Sequence, residues 1–271
     1  MKKIGFVDFY LSEWHANNYP SWMKDVCAKL GADYSLEYAW AERNVSLLDG
    51  VTSDEWCNKF GVKKCETLEE LCEKSDFIVV LAPSNPEKHL TYAETVLRYG
   101  KRTYIDKTFA PDLKTAEKIF ELGKKYNTPF FSSSALRYAS ELSEIKAPTR
   151  VEITGGGSNP EEYIIHQVEM LVKCLGTGSD GLTLKKDGDK ILATVSYPDG
   201  REGTLTFAND LPFTVKATEK DGKTVEKNID SPFFNSLIED IIRFFGDGEL
   251  SFAAEETLEV MKLREKFVAA L

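Results

Sequence analysis

Apolar and polar positions in the first half of this chain follow two alternating periods. Short unbroken apolar runs, the pattern of strands covered on both faces, are separated by stretches with the 3.6-residue period of amphipathic helices. Ile4 to Phe9 is the first run and Tyr34 to Trp40 the second. Asp76 to Ala82 holds Phe-Ile-Val-Val-Leu without a polar break, which predicts the centre of a sheet. Arg102 to Ile105 and Pro129 to Ser132 complete the set. Helices are predicted over Trp22 to Leu30, stopped by Gly31, and over Ser53 to Phe60, stopped by Gly61. Another opens at Thr67, with Glu70 placed for a capping box, and two more cover Pro86 to Tyr99 and Leu113 to Tyr126. Such strand–helix alternation predicts a parallel sheet with crossover helices.

After Ile145 the pattern changes. Val151 to Thr154 reads as a strand and Pro160 to Leu175 as one helix. Strands then follow, separated by Asp187-Gly188, Pro198-Asp199-Gly200 and Asp221-Gly222. Asp-Gly pairs supply the positive φ angles of tight hairpins, so this sheet is expected to be antiparallel. A last amphipathic helix, Ala254 to Leu271, carries Leu258, Met261, Leu263 and Phe267 and is open to packing on either domain, including the first. The expected fold is a Rossmann-type, doubly wound α/β parallel sheet in residues 1–135, followed by an α+β domain with a mainly antiparallel sheet in residues 136–271.

Composition narrows the function. With 42% hydrophobic residues in 271, the chain has material for a real core, and disorder is excluded. Its charge of −10, from 34 basic and 44 acidic residues, comes with no dense basic run, so nucleic acid is not an expected partner. Cys27, Cys57, Cys65, Cys72 and Cys174 are odd in number and lack C-x-x-C spacing, which argues against a disulfide framework and against a metal knuckle. The run Ile4 to Val7 is broken by Asp8, too short for a signal segment, and no stretch approaches the ~20 apolar residues of a membrane span. The expectation is a cytoplasmic protein with no membrane partner and no metal.

Two cationic groups stand out. Lys107 ends a short apolar strand, and in open α/β sheets ligands bind outside the carboxyl ends of strands, although a lysine there is also commonly a solvated charge. His166 lies on the Pro160 helix one turn after Glu162, so both project from one face. Glu162 is open to two roles, orienting the imidazole or capping the helix together with Asn159 and Pro160. Oxidising an alcohol carbon requires a base for the hydroxyl proton and a cation for the developing oxyanion, roles that suit His166 and Lys107.

These residues stand in a recognisable order. His89, Leu97, Gly100-Lys101 and Asp106-Lys107, with His89 18 residues before Lys107, resemble the first domain of the Gfo/Idh/MocA oxidoreductases, relatives of glucose-fructose oxidoreductase and inositol dehydrogenase. Asp106-Lys107-Thr108 is similar to that family's Glu-Lys-Pro with two substitutions. Glu162-Tyr-Ile-Ile-His166, then Glu169 and Leu175-Gly176, match its Asp-x-x-x-His helix in register with Glu for Asp. The runs Phe234 to Gly248 and Glu255 to Val260 are similar to its close, so the resemblance covers nearly the whole chain.

The resemblance implies an NAD(P)-dependent oxidoreductase that transfers hydride to or from a sugar, polyol or related hydroxy compound. It implies Lys107 and His166 as acid–base partners supported by Glu162, and a homodimer formed through the second sheet. NAD or NADP would lie against Phe9, Tyr10, Glu42, Ala82, Pro83, Ser84, His89 and Asp106, with His89 also open to a loop-positioning role and Glu42 to being a solvated charge. One departure is plain. The G-x-G-x-x-G that lets a backbone approach pyrophosphate is absent from Asp8-Phe-Tyr-Leu-Ser-Glu-Trp-His15, and Asp8 adds negative charge there. The alternative is therefore a degenerate, non-enzymatic relative that binds a small molecule or regulates. Gly155-Gly156-Gly157-Ser158 is open to an anion-binding role but reads more readily as a mobile loop.

Overall fold

The apolar runs of the first half become one parallel sheet in a computed structural model that describes residues 1–271. In chain order they are β1 (Lys2–Asp8), α1 (Trp14–Leu30), β2 (Tyr34–Ala41), α2 (Ser53–Phe60), β3 (Lys63–Lys64), α3 (Leu68–Lys74), β4 (Phe77–Val80), α4 (His89–Val96), β5 (Thr103–Ile105), α5 (Leu113–Tyr126) and β6 (Phe130–Phe131). The strand order is β3-β2-β1-β4-β5-β6, the doubly wound order of dinucleotide-binding folds. All of β4 is buried, as its unbroken apolar run requires. Gly5 is a packing residue, because a Cβ there would come within 2.3 Å of Ser75 Oγ and 2.9 Å of Leu71.

The second half forms β7 (Pro148–Gly155), α6 (Pro160–Leu175), β8 (Gly181–Asp187), β9 (Lys190–Ser196), β10 (Glu202–Phe207), β11 (Thr214–Glu219), β12 (Thr224–Asn228), α7 (Phe233–Asp247) and α8 (Ala254–Ala269). Its sheet runs β12-β11-β7-β10-β9-β8, antiparallel except for the β7–β10 pair. Gly188, Gly200 and Gly222 have φ of +62°, +86° and +88°, as the Asp-Gly hairpin signals demand. Ala193, Val195, Leu205 and Phe207 are buried on the face covered by α6, so the apolar half of each alternating run faces the helix.

The chain divides into two compact units, Met1–Ser132 with Ile238–Ser251, and Ser133–Leu237 with Phe252–Leu271. The closing helix α8, open from the sequence to packing on either domain, packs on α6 and β8 of its own unit; the return to the first unit comes earlier in the chain. The return is made by α7, whose residues from Ile238 onward belong to the first unit. There Phe245 stacks on Phe77 at 4.7 Å and Phe244 meets Phe131 edge-on at 5.1 Å. Arg102 donates to the carbonyls of Phe245 and Gly246 at 2.5 and 2.8 Å, satisfying the orphan acceptors of that helix end.

Three local expectations change. The first helix begins at Trp14, eight residues before the predicted Trp22, and runs through Pro20. Thr67 accepts from Glu70 N, but Glu70 reaches back to Glu66 N; the reciprocal capping box belongs to Thr52 and Glu55. The triple glycine is closely packed rather than loose: a Cβ on Gly156 would sit 2.3 Å from the Ala208 carbonyl oxygen. No helix is long and apolar enough to cross a membrane.

Candidate functional site

The carboxyl ends of β1, β4 and β5 gather the ionisable groups of the first unit. Asp8, at the end of β1, is 1% exposed; its Oδ1 accepts from Phe9 N at 2.7 Å and Ala82 N at 3.1 Å, while Oδ2 has no hydrogen-bond partner. Burial pushes this carboxyl well above the usual range, and the nearby Glu13 charge adds to it. Glu13 caps α1, accepting from His15 N at 2.8 Å and from Ala16 N. Burial raises its pKa too, against the pull of His15 and of the two amides.

Asp106, at the end of β5, is fully buried. Its Oδ1 accepts from Tyr104 OH and Lys107 N, each at 2.9 Å, and its Oδ2 meets His15 Nδ1. Burial pushes Asp106 up, but His15, Lys107 and Tyr104 together outweigh it and hold the carboxyl below its usual value. The His15 ring stacks on Tyr19 at 5.2 Å, which fixes its plane. Lys107 is half-buried, with Nζ 3.5 Å from the Pro83 carbonyl oxygen.

The residues expected against a cofactor are largely engaged by the protein itself. Glu42 is ion-paired with Lys88 at 2.5 Å and accepts from Tyr92 OH at 2.9 Å; burial pushes its carboxyl up, but Lys88, Tyr92 and Arg43 together outweigh burial and hold it below the usual value. Phe9 lies under Lys88 and Arg43 at 5.1 and 5.9 Å, and Tyr10 is buried. Ala82 is buried in the left-handed region at φ +58°, Pro83 is buried, and Ser84 is exposed. His89 is wholly buried, with Nε2 2.6 Å from the Leu81 carbonyl oxygen and Nδ1 3.0 Å from that of Phe109. It therefore ties together the loops after β4 and β5, with both ring nitrogens turned to backbone carbonyls.

In the second unit, His166 is half-buried on α6, with Nδ1 2.7 Å from Ser134 Oγ and its ring edge-on to Phe213 at 5.9 Å. Ser134, which sequence reasoning missed, is the residue that meets Nδ1. Glu162 is half-buried, and its charge falls with that of Glu161 on Arg264, partly offsetting the effect of burial on that guanidinium. The α6 cap is Asn159, whose side chain accepts from Glu161 N at 3.0 Å. Glu169, one turn beyond His166, is structural. It accepts from Arg137 at 2.8 Å and from Ser133 Oγ at 3.3 Å, while Arg137 also pairs with Glu256 and lies 3.9 Å from the Phe252 ring centroid.

The fold defines a class, that of two-unit α/β proteins with a Rossmann sheet and a second, open, mostly antiparallel sheet. The sequence model of the Gfo/Idh/MocA oxidoreductase family, NAD-binding Rossmann fold, matches residues 42–133, and the resemblance read from the sequence is to that family. No curated protein sequence matches the chain. Among solved structures, it is similar to UDP-N-acetylglucosamine 3-dehydrogenase from Acidithiobacillus ferrooxidans, with TM-score 0.77 at 12% identity over 100% of this chain and 97% of that one. A putative myo-inositol dehydrogenase from Sinorhizobium meliloti gives 0.74 at 12% identity over 100% and 97%. Biliverdin reductase from Synechocystis, in complex with biliverdin and NADP+, gives 0.72 at 13% over 99% and 98%.

A dinucleotide does not fit the terminus of α1. The amides that would meet its pyrophosphate carry the Glu13 carboxylate, and Tyr10 and Leu11 are buried where the fingerprint has small residues.

Proposed function

We propose that the chain is a Gfo/Idh/MocA-type enzyme whose substrate is a sugar, polyol or related hydroxy compound, with Lys107 and His166 as its proton-handling groups. The observation that carries this reading is the setting of His166, a half-buried imidazole held through Nδ1 by Ser134 on a helix anchored by the buried Glu169–Arg137 pair. A neutral imidazole so held accepts a proton through its other nitrogen, and the Lys107 ammonium steadies negative charge on oxygen. The two are joined by the family's sequence register.

Hydride transfer to NAD or NADP is the second reading. The family match over residues 42–133 favours it, and the carboxylate at the start of α1 counts against it. A non-enzymatic binding role is the third. One screen separates them: a panel of sugars and polyols in D2O, with and without NAD(P)+, followed by nuclear magnetic resonance and absorbance at 340 nm. Deuterium entering the C–H beside a sugar's carbonyl without nucleotide, and lost in Lys107→Ala and His166→Ala, is the expected result. Dependence on nucleotide supports hydride transfer, and thermal stabilisation without exchange supports binding alone. No response to any compound ends the proposal.

The assembly proposed with this function is a homodimer through the open face of the second sheet, where Leu192, Thr194, Thr204 and Thr206 are half-buried in the single chain. Light scattering should give twice 30.5 kDa at micromolar concentration, and the single-chain mass would exclude it.

A further inference from the structure

Backbone amides at the carboxyl ends of the first sheet are engaged by the chain's own carboxylates. Asp8 takes Phe9 N and Ala82 N, after β1 and β4. Glu13 takes His15 N and Ala16 N, at the start of α1. Asp106 takes Lys107 N, after β5. In a doubly wound sheet this rim is where an anionic dinucleotide finds its donors, the pyrophosphate on the first helix above all. The three carboxylates are 1%, 6% and 0% exposed, so they are built into the unit and are not surface charges that a ligand could push aside.

We propose that Asp8, Glu13 and Asp106 are internal replacements for the anionic cofactor, so that the first unit completes its anion seats from its own sequence and is closed to NAD(P) and to free pyrophosphate. Three features support one conclusion. The seat at α1 is filled by Glu13, the loop leading to it buries Tyr10 and Leu11, and an arriving phosphate would meet Asp106 as a like charge, with the buried Asp8 carboxyl already on two of the rim amides. His15 balances the set from within, through its contact with Asp106. The inference goes beyond the acid–base reading above, which stands or falls on Lys107, His166 and substrate exchange.

The test is a calorimetric titration of the whole chain with NADH, NADPH and inorganic pyrophosphate, together with native-state amide hydrogen exchange. The wild type should show no saturable binding up to 1 mM, and the His15 and Ala16 amides should be protected without ligand and unchanged by it. Glu13→Gly vacates the seat; those amides should lose at least tenfold in protection, and pyrophosphate affinity should rise at least tenfold over the wild type. Glu13→Gln keeps an acceptor in place and should remain closed. Micromolar binding of NADH or NADPH to the wild type overturns the proposal, and so does Glu13→Gly that frees the amides without gaining pyrophosphate. Where Glu13→Gly does not fold, the wild-type titration decides alone.

Discussion

The two units bury charge in opposite ways. In the second, Arg137 lies between Glu169 and Glu256 with its face on Phe252, so a buried cation is matched by carboxylates on both sides. In the first, three carboxylates crowd the strand ends, with His15 the buried basic group that pairs among them. The matched arrangement ties the 3-10 turn at Ala135–Tyr138 to α6 and α8. The mismatched one carries a standing electrostatic cost, and such costs persist where they serve a site. Burial raises both Asp8 and Glu13, so the fold disfavours the charged form of each.

The comparison breaks most readily at Arg137. Burial disfavours its charge, but Glu169 and Glu256 outweigh burial and raise its pKa; burial pushes Glu169 up while Arg137 pulls it back. With the guanidinium between two carboxylates, the ionised state is the one the geometry supports. Arg137→Met leaves Glu169 buried and unpaired, and should cost about 3–5 kcal/mol in urea unfolding. A loss below about 1 kcal/mol would mean that the second unit does not depend on its matched charges.

Asp8 is the opposite case, with a smaller effect of opposite sign. Its folded-state pKa lies above the unfolded value, so its contribution is fully present below the unfolded pKa and is lost as pH rises through the folded one. Asp8→Asn keeps an acceptor for Phe9 N and Ala82 N and removes the charge. It should stabilise the chain by roughly 1–3 kcal/mol at pH 8, a gain that shrinks to nothing near pH 4. Thermal melts across that range check the sign. Destabilisation equal at both ends would show that the Asp8 charge is no burden, and the contrast between the units would fail.

What the sequence made legible follows from where the information resides. β4 is written in one apolar run, and the hairpins in their Asp-Gly pairs, because local composition fixes both. Lys107 and His166 were singled out by position on an element and by the family's register, and they stand after β5 and on α6. Glu13 was hidden, since N-cap statistics favour Ser, Thr, Asp and Asn, and Pro20 made the first turns of α1 read as a loop. Ser134 and Arg137 were missed for another reason. They sit at a short irregular turn whose partners lie more than 30 residues away, so no local period marks them.

Ala82 offers the finest distinction between the units. Its φ of +58° places a Cβ in the left-handed region, a strain of about 1–2 kcal/mol for a non-glycine residue, while its N–H is held by Asp8. Ala147 in the second unit has φ +43° and supplies a control for backbone strain alone. Glycine relieves the strain but loses more entropy on folding, so Ala82→Gly and Ala147→Gly should each gain no more than about 1 kcal/mol in chemical denaturation. If the carboxylate seat itself forces the chain into this conformation, the gain at Ala82 must exceed that at Ala147. The excess should persist in Asp8→Asn, which still accepts the Ala82 amide. Equal gains would show that Asp8 merely occupies a turn the sheet already imposes. The cost of the first unit's carboxylates would then lie in their charge and not in the backbone that holds them.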